Sequence, residues 1–195
     1  MFVTMILMTG TTHQIVALTS ALWVLSLYPV SLGPVIGVLC VVAVMVGALT
    51  PDLDQPTANI WRRVIGGNIV GDVFQAFSGG HRHFTHSLIG IAAISWALRW
   101  AAYNLVSPNY VNDALALWAA FMVGYISHPI ADTLTDRGVP WLWPLKWSLK
   151  VPPGPEQVRV TGNSFVERVI VRSGIIVIAA LLVQGNWHII KGLFL

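Results

Sequence analysis

Histidine and aspartate side chains gather in four short motifs of this sequence: His13, Pro51-Asp52-Leu53-Asp54, the run from His81 to His86, and the run from His128 to Asp132. His128 and Asp132 are four positions apart, so a helix would place both side chains on one face, one turn apart. An imidazole nitrogen and a carboxylate oxygen at this spacing can chelate one divalent cation, as the paired histidines of an HExxH helix do.

The other motifs also have spacings that suit metal ligands. Asp52 and Asp54 are two positions apart after a proline, which favours an extended or turn conformation with both carboxylates pointing inward. His81 and His86 flank a junction between a loop and a helix, and either Thr85 or Ser87 could cap that helix.

The composition indicates the class of protein that positions these motifs. Of 195 residues, 55% are hydrophobic and 10% are charged, with a mean hydropathy of +0.71. Soluble domains carry about a quarter charged residues, so this chain has too little polar material for a water-facing surface. The length suits a single domain, residues 1–195. The single cysteine, Cys40, excludes a disulfide within the chain. The net charge of +3 is scattered, and no nucleic-acid partner is predicted.

Five apolar stretches along the chain have about the length of a membrane-spanning helix. A spanning helix needs about 20 mostly apolar residues. The sequence therefore predicts an all-α, polytopic membrane helix bundle with about four or five transmembrane helices and two longer cytoplasmic segments. Arg99 and Arg172 lie near ends of these stretches, where a long side chain can reach the interface. The five stretches are Gln14–Val30, Leu32–Thr50, Ser87–Val106, Ala114–Ala131 and Val169–Ile190.

The distribution of positive charge predicts an orientation in the bilayer. Most Lys and Arg residues lie in the two long polar segments, Pro51–Thr85 and Thr133–Arg168, and the short connections near Tyr28–Gly33 and Ser107–Asn112 have none. The positive-inside rule places the two long segments in the cytoplasm. An even number of crossings separates the four motifs, so all four should meet on the cytoplasmic side of the membrane.

Ionisable groups at membrane depth are costly unless they are paired or bind an ion, so this convergence predicts a metal site. Mixed His and carboxylate ligands suit zinc best, with manganese or iron as alternatives. Seven candidates exceed the four ligands of one tetrahedral zinc, which favours two ions, or one ion with outer partners. His83 is a weaker candidate, and His188 is expected on the opposite side. The predicted ligands are His13, Asp52, Asp54, His81, His86, His128 and Asp132.

A metal-dependent hydrolase is the function that these residues predict. A metal-activated water would attack a phosphoester or an acyl ester. Asp54 or Asp132 could act as general base, and Arg82 could stabilise developing negative charge. The interfacial location suggests a lipid or lipid-linked substrate, although a small soluble ester is an alternative. A second hypothesis is a non-catalytic metal site that staples the helices. Ion transport fits less well, because the three acids of the site, Asp52, Asp54 and Asp132, lie at helix ends rather than in mid-helix. The sequence predicts no oligomeric state.

Taken together, the motifs resemble the YdjM-type family of bacterial inner-membrane proteins, which are described as metal-dependent hydrolases. The resemblance covers roughly His13 to Trp147 and implies an α-helical fold in the inner membrane. His83 departs from the family, which more often has glycine there. The order of ligands is also distantly similar to that of zinc-dependent phospholipase C. The matching pieces are Thr12-His13, Pro51-Asp52-Leu53-Asp54, Gly80-His81-Arg82, Phe84-Thr85-His86-Ser87-Leu88, Gly124-Tyr125-Ile126-Ser127-His128, Ala131-Asp132-Thr133-Leu134-Thr135, Gly138-Val139-Pro140 and Trp143-Pro144.

Overall fold

A computed structural model describes residues 8–54, 83–145, 147–155 and 159–194. Within these ranges the fold is all-helical and contains no strand, only two isolated bridges. The predicted all-α class is thus confirmed for the described residues. The helices are α1 (Gly10–Leu27), α2 (Gly33–Leu49), α3 (Leu88–Asn104), α4 (Val111–Thr133), α5 (Arg172–Gly185) and α6 (Trp187–Leu193). Two 3-10 turns, Pro51–Asp54 and Pro108–Tyr110, and a π-helical turn, Val166–Val171, complete the described elements.

Helix α4 is the centre of the bundle. It packs most extensively against α2 and also against α1 and α3, while α5 packs against α1. The first four helices alternate in direction along the chain. The start of α1, the end of α2, the start of α3 and the end of α4 therefore lie at one end of the bundle, where the four motifs of the sequence are found.

Two glycines allow α2 and α4 to approach backbone to backbone. A Cβ atom at Gly47 would overlap the carbonyl oxygen of Phe121, and one at Gly124 would overlap the carbonyl oxygen of Val44. Small residues at a helix crossing permit such close packing in membrane proteins, where van der Waals contact replaces the hydrophobic driving force. This crossing brings the end of α2 directly against the turn of α4 that carries His128.

Among the described residues, two segments are long and apolar enough to cross a bilayer: Gly33–Asp54 and Pro108–Thr133. The larger number of spans, four or five, stays a prediction. Helix α1 begins at Gly10, ahead of the apolar stretch that starts at Gln14, so His13 belongs to its first turn. The last apolar stretch is interrupted, because α5 ends at Gly185 and α6 starts after Asn186.

Large apolar side chains cover much of the exterior of the helices. Val35 is 69% exposed, Trp96 70% and Leu181 62%. Water-soluble proteins rarely expose contiguous apolar surface on this scale. The buried interior at the motif end is instead polar, with His13, Asp54, His86, His128 and Asp132 all at most 1% exposed. This inversion of the usual arrangement suits a protein surrounded by lipid.

Candidate metal centre

The structure brings six of the predicted ligands together at one end of the bundle. His13 comes from the first turn of α1, and Asp52 and Asp54 come from the 3-10 turn that follows α2. His86 lies in the turn before α3, and His128 and Asp132 lie in the last turns of α4. Side chains from four segments, separated by up to 119 positions along the chain (13 to 132), thus face one another.

A backbone contact fixes the orientation of the His128 ring. Its Nδ1 lies 2.6 Å from the carbonyl oxygen of Ala48 on α2. A carbonyl only accepts hydrogen bonds, so Nδ1 carries a proton and Nε2 is the ring nitrogen that faces the carboxylates of the cluster. The ring also stacks on that of His13, with centroids 3.7 Å apart and planes inclined by 10°.

Thr85 orients His86 in the same way. Its Oγ1 donates to Oδ2 of Asp54 at 2.6 Å and lies 2.9 Å from Nδ1 of His86. The single hydroxyl proton goes to the carboxylate, so Nδ1 of His86 must donate to Thr85, and its Nε2 faces the cluster. Burial lowers the pKa of His86, which favours the neutral ring that a metal requires. Tyr125 completes this corner by donating to the backbone carbonyl of Thr85 at 2.6 Å.

Asp132 lies between the three histidine rings. Its Oδ1 is 3.5 Å from Nε2 of His13, and its Oδ2 is 3.6 Å from Nε2 of His86 and 3.5 Å from Nε2 of His128. Oδ1 of Asp52 is 3.4 Å from Nε2 of His128. These separations exceed the 2.7–3.2 Å of ordinary N–H···O hydrogen bonds.

The same separations fit ligand atoms around a metal ion. In a tetrahedral zinc site with bonds of about 2.0–2.1 Å, neighbouring ligand atoms are about 3.3–3.4 Å apart. The described residues contain two overlapping groups, and within each group the ligand atoms lie within 4.8 Å of one another. One group is His13, His128 and Asp132, and the other is Asp52, His86 and His128. The donor set therefore fits one or two divalent cations.

One buried ring nitrogen that faces the cluster strengthens this fit. Nε2 of His128 forms no hydrogen bond with any residue that the structure describes. A buried polar atom without a partner costs about 1–3 kcal/mol, and such atoms in native structures commonly mark an ion or a functional role. Asp52 is the most accessible member of the cluster, with 22% of its side chain exposed.

The other candidates belong to neither group of ligand atoms found among the described residues. His81 and Arg82 lie outside the described residues. Asp54 is completely buried beside Thr85 but belongs to neither group of ligand atoms. His83 is exposed on the turn before α3, and His188 is exposed on α6. Asp54, His81 and Arg82 therefore stay predictions in their proposed roles.

Several residues that organise the site had no signal in the sequence. Glu167 is completely buried against the first turn of α1, although it lies at the edge of a polar segment. Arg172, which the sequence shows only as a charge near the end of an apolar stretch, bonds to Thr9 and Thr12. Tyr125 belongs to the Gly124–His128 piece that resembles the family, but nothing in the sequence gives it a role in the site. Their contacts join residues 40 to 163 positions apart, which no local pattern encodes.

Comparison with known proteins adds to this geometry. The YdjM inner membrane protein family matches residues 8–190. The chain belongs to that family. The match to "Inner membrane protein YdjM" of Escherichia coli (strain K12) is 38% identical over 104 residues, and the match to the protein of the same name in Shigella flexneri has the same identity. The aligned part is 53% of this chain and 48% of either relative, so the chain spans about half the length of both. No solved structure matches.

Membership of the YdjM family confirms the predicted resemblance and supports the bacterial inner membrane as the location. The family name describes no reaction. Any reaction at the cluster must therefore be inferred from the residues that form it.

Proposed function

We propose that this protein is a membrane-bound, metal-dependent hydrolase that cleaves a phosphoester or an acyl ester at the inner membrane. The observation that carries the proposal is the set of four separations of 3.4–3.6 Å between histidine Nε2 atoms and the carboxylates of Asp52 and Asp132. They match the edges of a metal coordination sphere better than they match hydrogen bonds.

His13, His86, His128, Asp52 and Asp132 would hold the ion, with zinc preferred, manganese or iron as alternatives, and one or two ions in total. When bound, such a cation supplies Lewis acidity that activates water for ester cleavage. The protein contributes the orientation of the ligands. The carbonyl of Ala48 and the hydroxyl of Thr85 keep the Nε2 atoms of two rings directed at the centre.

The proton from the attacking water needs an acceptor, and a carboxylate that does not hold the ion is the more available one. Asp54 is the better candidate, because it adjoins His86 without belonging to either ligand group. Asp132 remains the alternative acceptor, although three histidines already face it. Arg82 is proposed to stabilise negative charge on the substrate, since a guanidinium group suits phosphate oxygens.

The substrate is proposed to reach the centre from the end of the bundle where the Pro51–Asp54 turn lies. Asp52 is the most accessible of the proposed ligands there. A centre at the ends of membrane helices can take a lipid or lipid-linked ester. We place this end on the cytoplasmic side, following the positive-inside rule.

The first test measures metal and activity together in the purified protein. Elemental analysis of wild type should find about one or two equivalents of metal, and a screen of phosphodiester, phosphomonoester and carboxylic ester substrates should find chelator-sensitive turnover. His128→Ala should lose both. Removing even an outer partner of a ligand costs about 10–100-fold in affinity, so losing the ligand should cost at least ~100-fold. His188→Ala, at an exposed histidine, is the matched control.

One observation favours the alternative of a structural metal site. Four of the five proposed ligands are at most 1% exposed, and structural zinc sites are typically closed. Stoichiometric metal in wild type, a lower melting temperature on chelation and no turnover of any ester would favour this helix-stapling role. Carefully purified wild type without metal would contradict both functions.

A further inference from the structure

A second buried polar cluster lies beside the proposed metal centre, at the start of α1. We call it the Glu167 cluster, and it consists of Thr9, Thr12, Asn163, Glu167 and Arg172. Glu167 comes from the π-helical turn before α5, yet its side chain is completely buried against α1. This places a carboxylate from near the C-terminus next to the turn that carries His13.

Hydrogen bonds to Glu167 come from two elements. Its Oε1 accepts from the backbone N–H of Thr9 at 2.9 Å, from Oγ1 of Thr9 at 3.0 Å and from Oγ1 of Thr12 at 2.5 Å. Its Oε2 accepts from the backbone N–H of Asn163. Burial opposes ionisation, but these hydrogen bonds lower the pKa of Glu167 below its usual value. The carboxylate is therefore charged at neutral pH, which also suits the positive end of the α1 dipole.

Arg172 completes the cluster by donating hydrogen bonds to the same two threonine hydroxyls that donate to Glu167. Its Nε donates to Oγ1 of Thr12 at 2.8 Å, and its Nη2 donates to Oγ1 of Thr9. Each threonine hydroxyl thus accepts from the guanidinium group and donates to the carboxylate. The guanidinium Nη2 also lies 3.9 Å from Oε1 of Glu167. Both threonines are held between two opposite charges, which fixes the rotation of the first turn of α1.

His13 follows Thr12 directly and depends on this turn. Its backbone N–H bonds to the carbonyl of Thr9, its ring stacks on His128, and its Nε2 faces Asp132 at 3.5 Å. Among the described residues, its Nδ1 has no hydrogen bond that would hold the ring in place. His86 and His128 have such bonds. The backbone around His13 must therefore supply the orientation that the ring lacks.

We propose that Glu167 and Arg172 are positioning residues for His13, which hold its imidazole in the metal centre from the C-terminal part of the chain. The inference rests on the proposed function, because it assumes that His13 binds a metal. It assigns a role to a carboxylate that is neither a proposed ligand nor a proposed base.

The test is a double-mutant cycle on zinc affinity, with wild type, Glu167→Gln, His13→Ala and the double variant. Outer partners of metal ligands contribute about 10–100-fold to affinity, so Glu167→Gln should weaken zinc binding by that factor. In the His13→Ala background the same substitution should change affinity by less than about twofold, because its effect acts through His13. Cobalt-substituted Glu167→Gln should also show an altered visible spectrum. Asp113→Asn, at the start of α4 far from the centre, is the matched control.

The outcomes separate the two proposals. Zinc bound by wild type and equally well by Glu167→Gln overturns the positioning role alone, as does an equal loss of affinity with and without His13. No zinc in wild type overturns the proposed function and this inference with it. If Glu167→Gln does not fold, Thr12→Val carries the same cycle, because it removes one hydroxyl from the cluster at nearly constant volume.

Discussion

Single hydrogen bonds decide which atoms of the histidines face the centre. In His86 and His128, Nδ1 donates to a neighbouring oxygen, and Nε2 is thereby left as the atom directed at the carboxylates. The sequence predicts the residue types and the i, i+4 spacing of His128 and Asp132. It cannot predict that Ala48 supplies the carbonyl, since any residue has one. Helix packing, rather than the identity of a side chain, thus determines which backbone carbonyl accepts the hydrogen bond from His128.

Thr85 differs from Ala48, because it holds its histidine through a side-chain hydroxyl rather than through a backbone carbonyl. Thr85→Val keeps the shape but removes the bond to Asp54 and the acceptor of the His86 Nδ1 proton. We expect a loss of about 1–3 kcal/mol in the free energy of unfolding, since the buried groups lose a partner. Zinc affinity should fall about 10–100-fold. Thermal melting and chelator competition measure these two quantities. Thr19→Val, whose hydroxyl bonds only within α1, should change neither, and unchanged zinc binding in Thr85→Val would remove Thr85 from the site.

Helix packing positions the ligands that hydrogen bonds then orient. The apolar stretches predict helices, and Ser87, one of the two caps considered, is the residue that accepts from the N–H of Gly90 at the start of α3. The crossing of α2 and α4 was not predictable, because glycine alone does not reveal which helix it contacts. Likewise, Glu167 and α1 are brought together only by the packing of α5 on α1. Residues close together in the sequence are enough to predict where a helix ends. Contacts between distant residues become apparent only in the folded structure.

A methyl group at the α2–α4 crossing should disturb the centre from a distance. In Gly124→Ala the new Cβ would overlap the Val44 carbonyl, so the two helices must separate. We expect a destabilisation of about 1–3 kcal/mol from overpacking and weaker zinc binding, because the Ala48 carbonyl would move away from His128. Gly174→Ala, on α5 with no atom near the new methyl group, should instead be neutral or stabilise by up to ~1 kcal/mol. Equal melting temperatures for the two variants would contradict this account.

The described part of the molecule has an apolar exterior and a polar interior at one end. This arrangement explains why composition alone predicts a membrane protein, whereas the structure is needed to locate the buried cluster among the helices. The connections 28–32 and 105–110 lie at the end of the bundle opposite the candidate metal centre. If both ends reach water, as the predicted topology requires, the chain must present them to different compartments.

Cysteine accessibility can establish which compartment faces the candidate metal centre. Cys40 is the single cysteine and is 7% exposed, so Cys40→Ala gives a cysteine-free background at small cost. In that background we expect Ser31→Cys, between α1 and α2, to react with a membrane-impermeant maleimide in intact spheroplasts. Thr161→Cys, in the segment before the π-helical turn, should react only after permeabilisation. Both positions are exposed, so access depends on the membrane rather than on burial. Retained zinc binding in both variants is the control for folding. The reverse pattern would place the centre outside the cytoplasm, and labelling of both sites in intact cells would contradict a spanning segment between them.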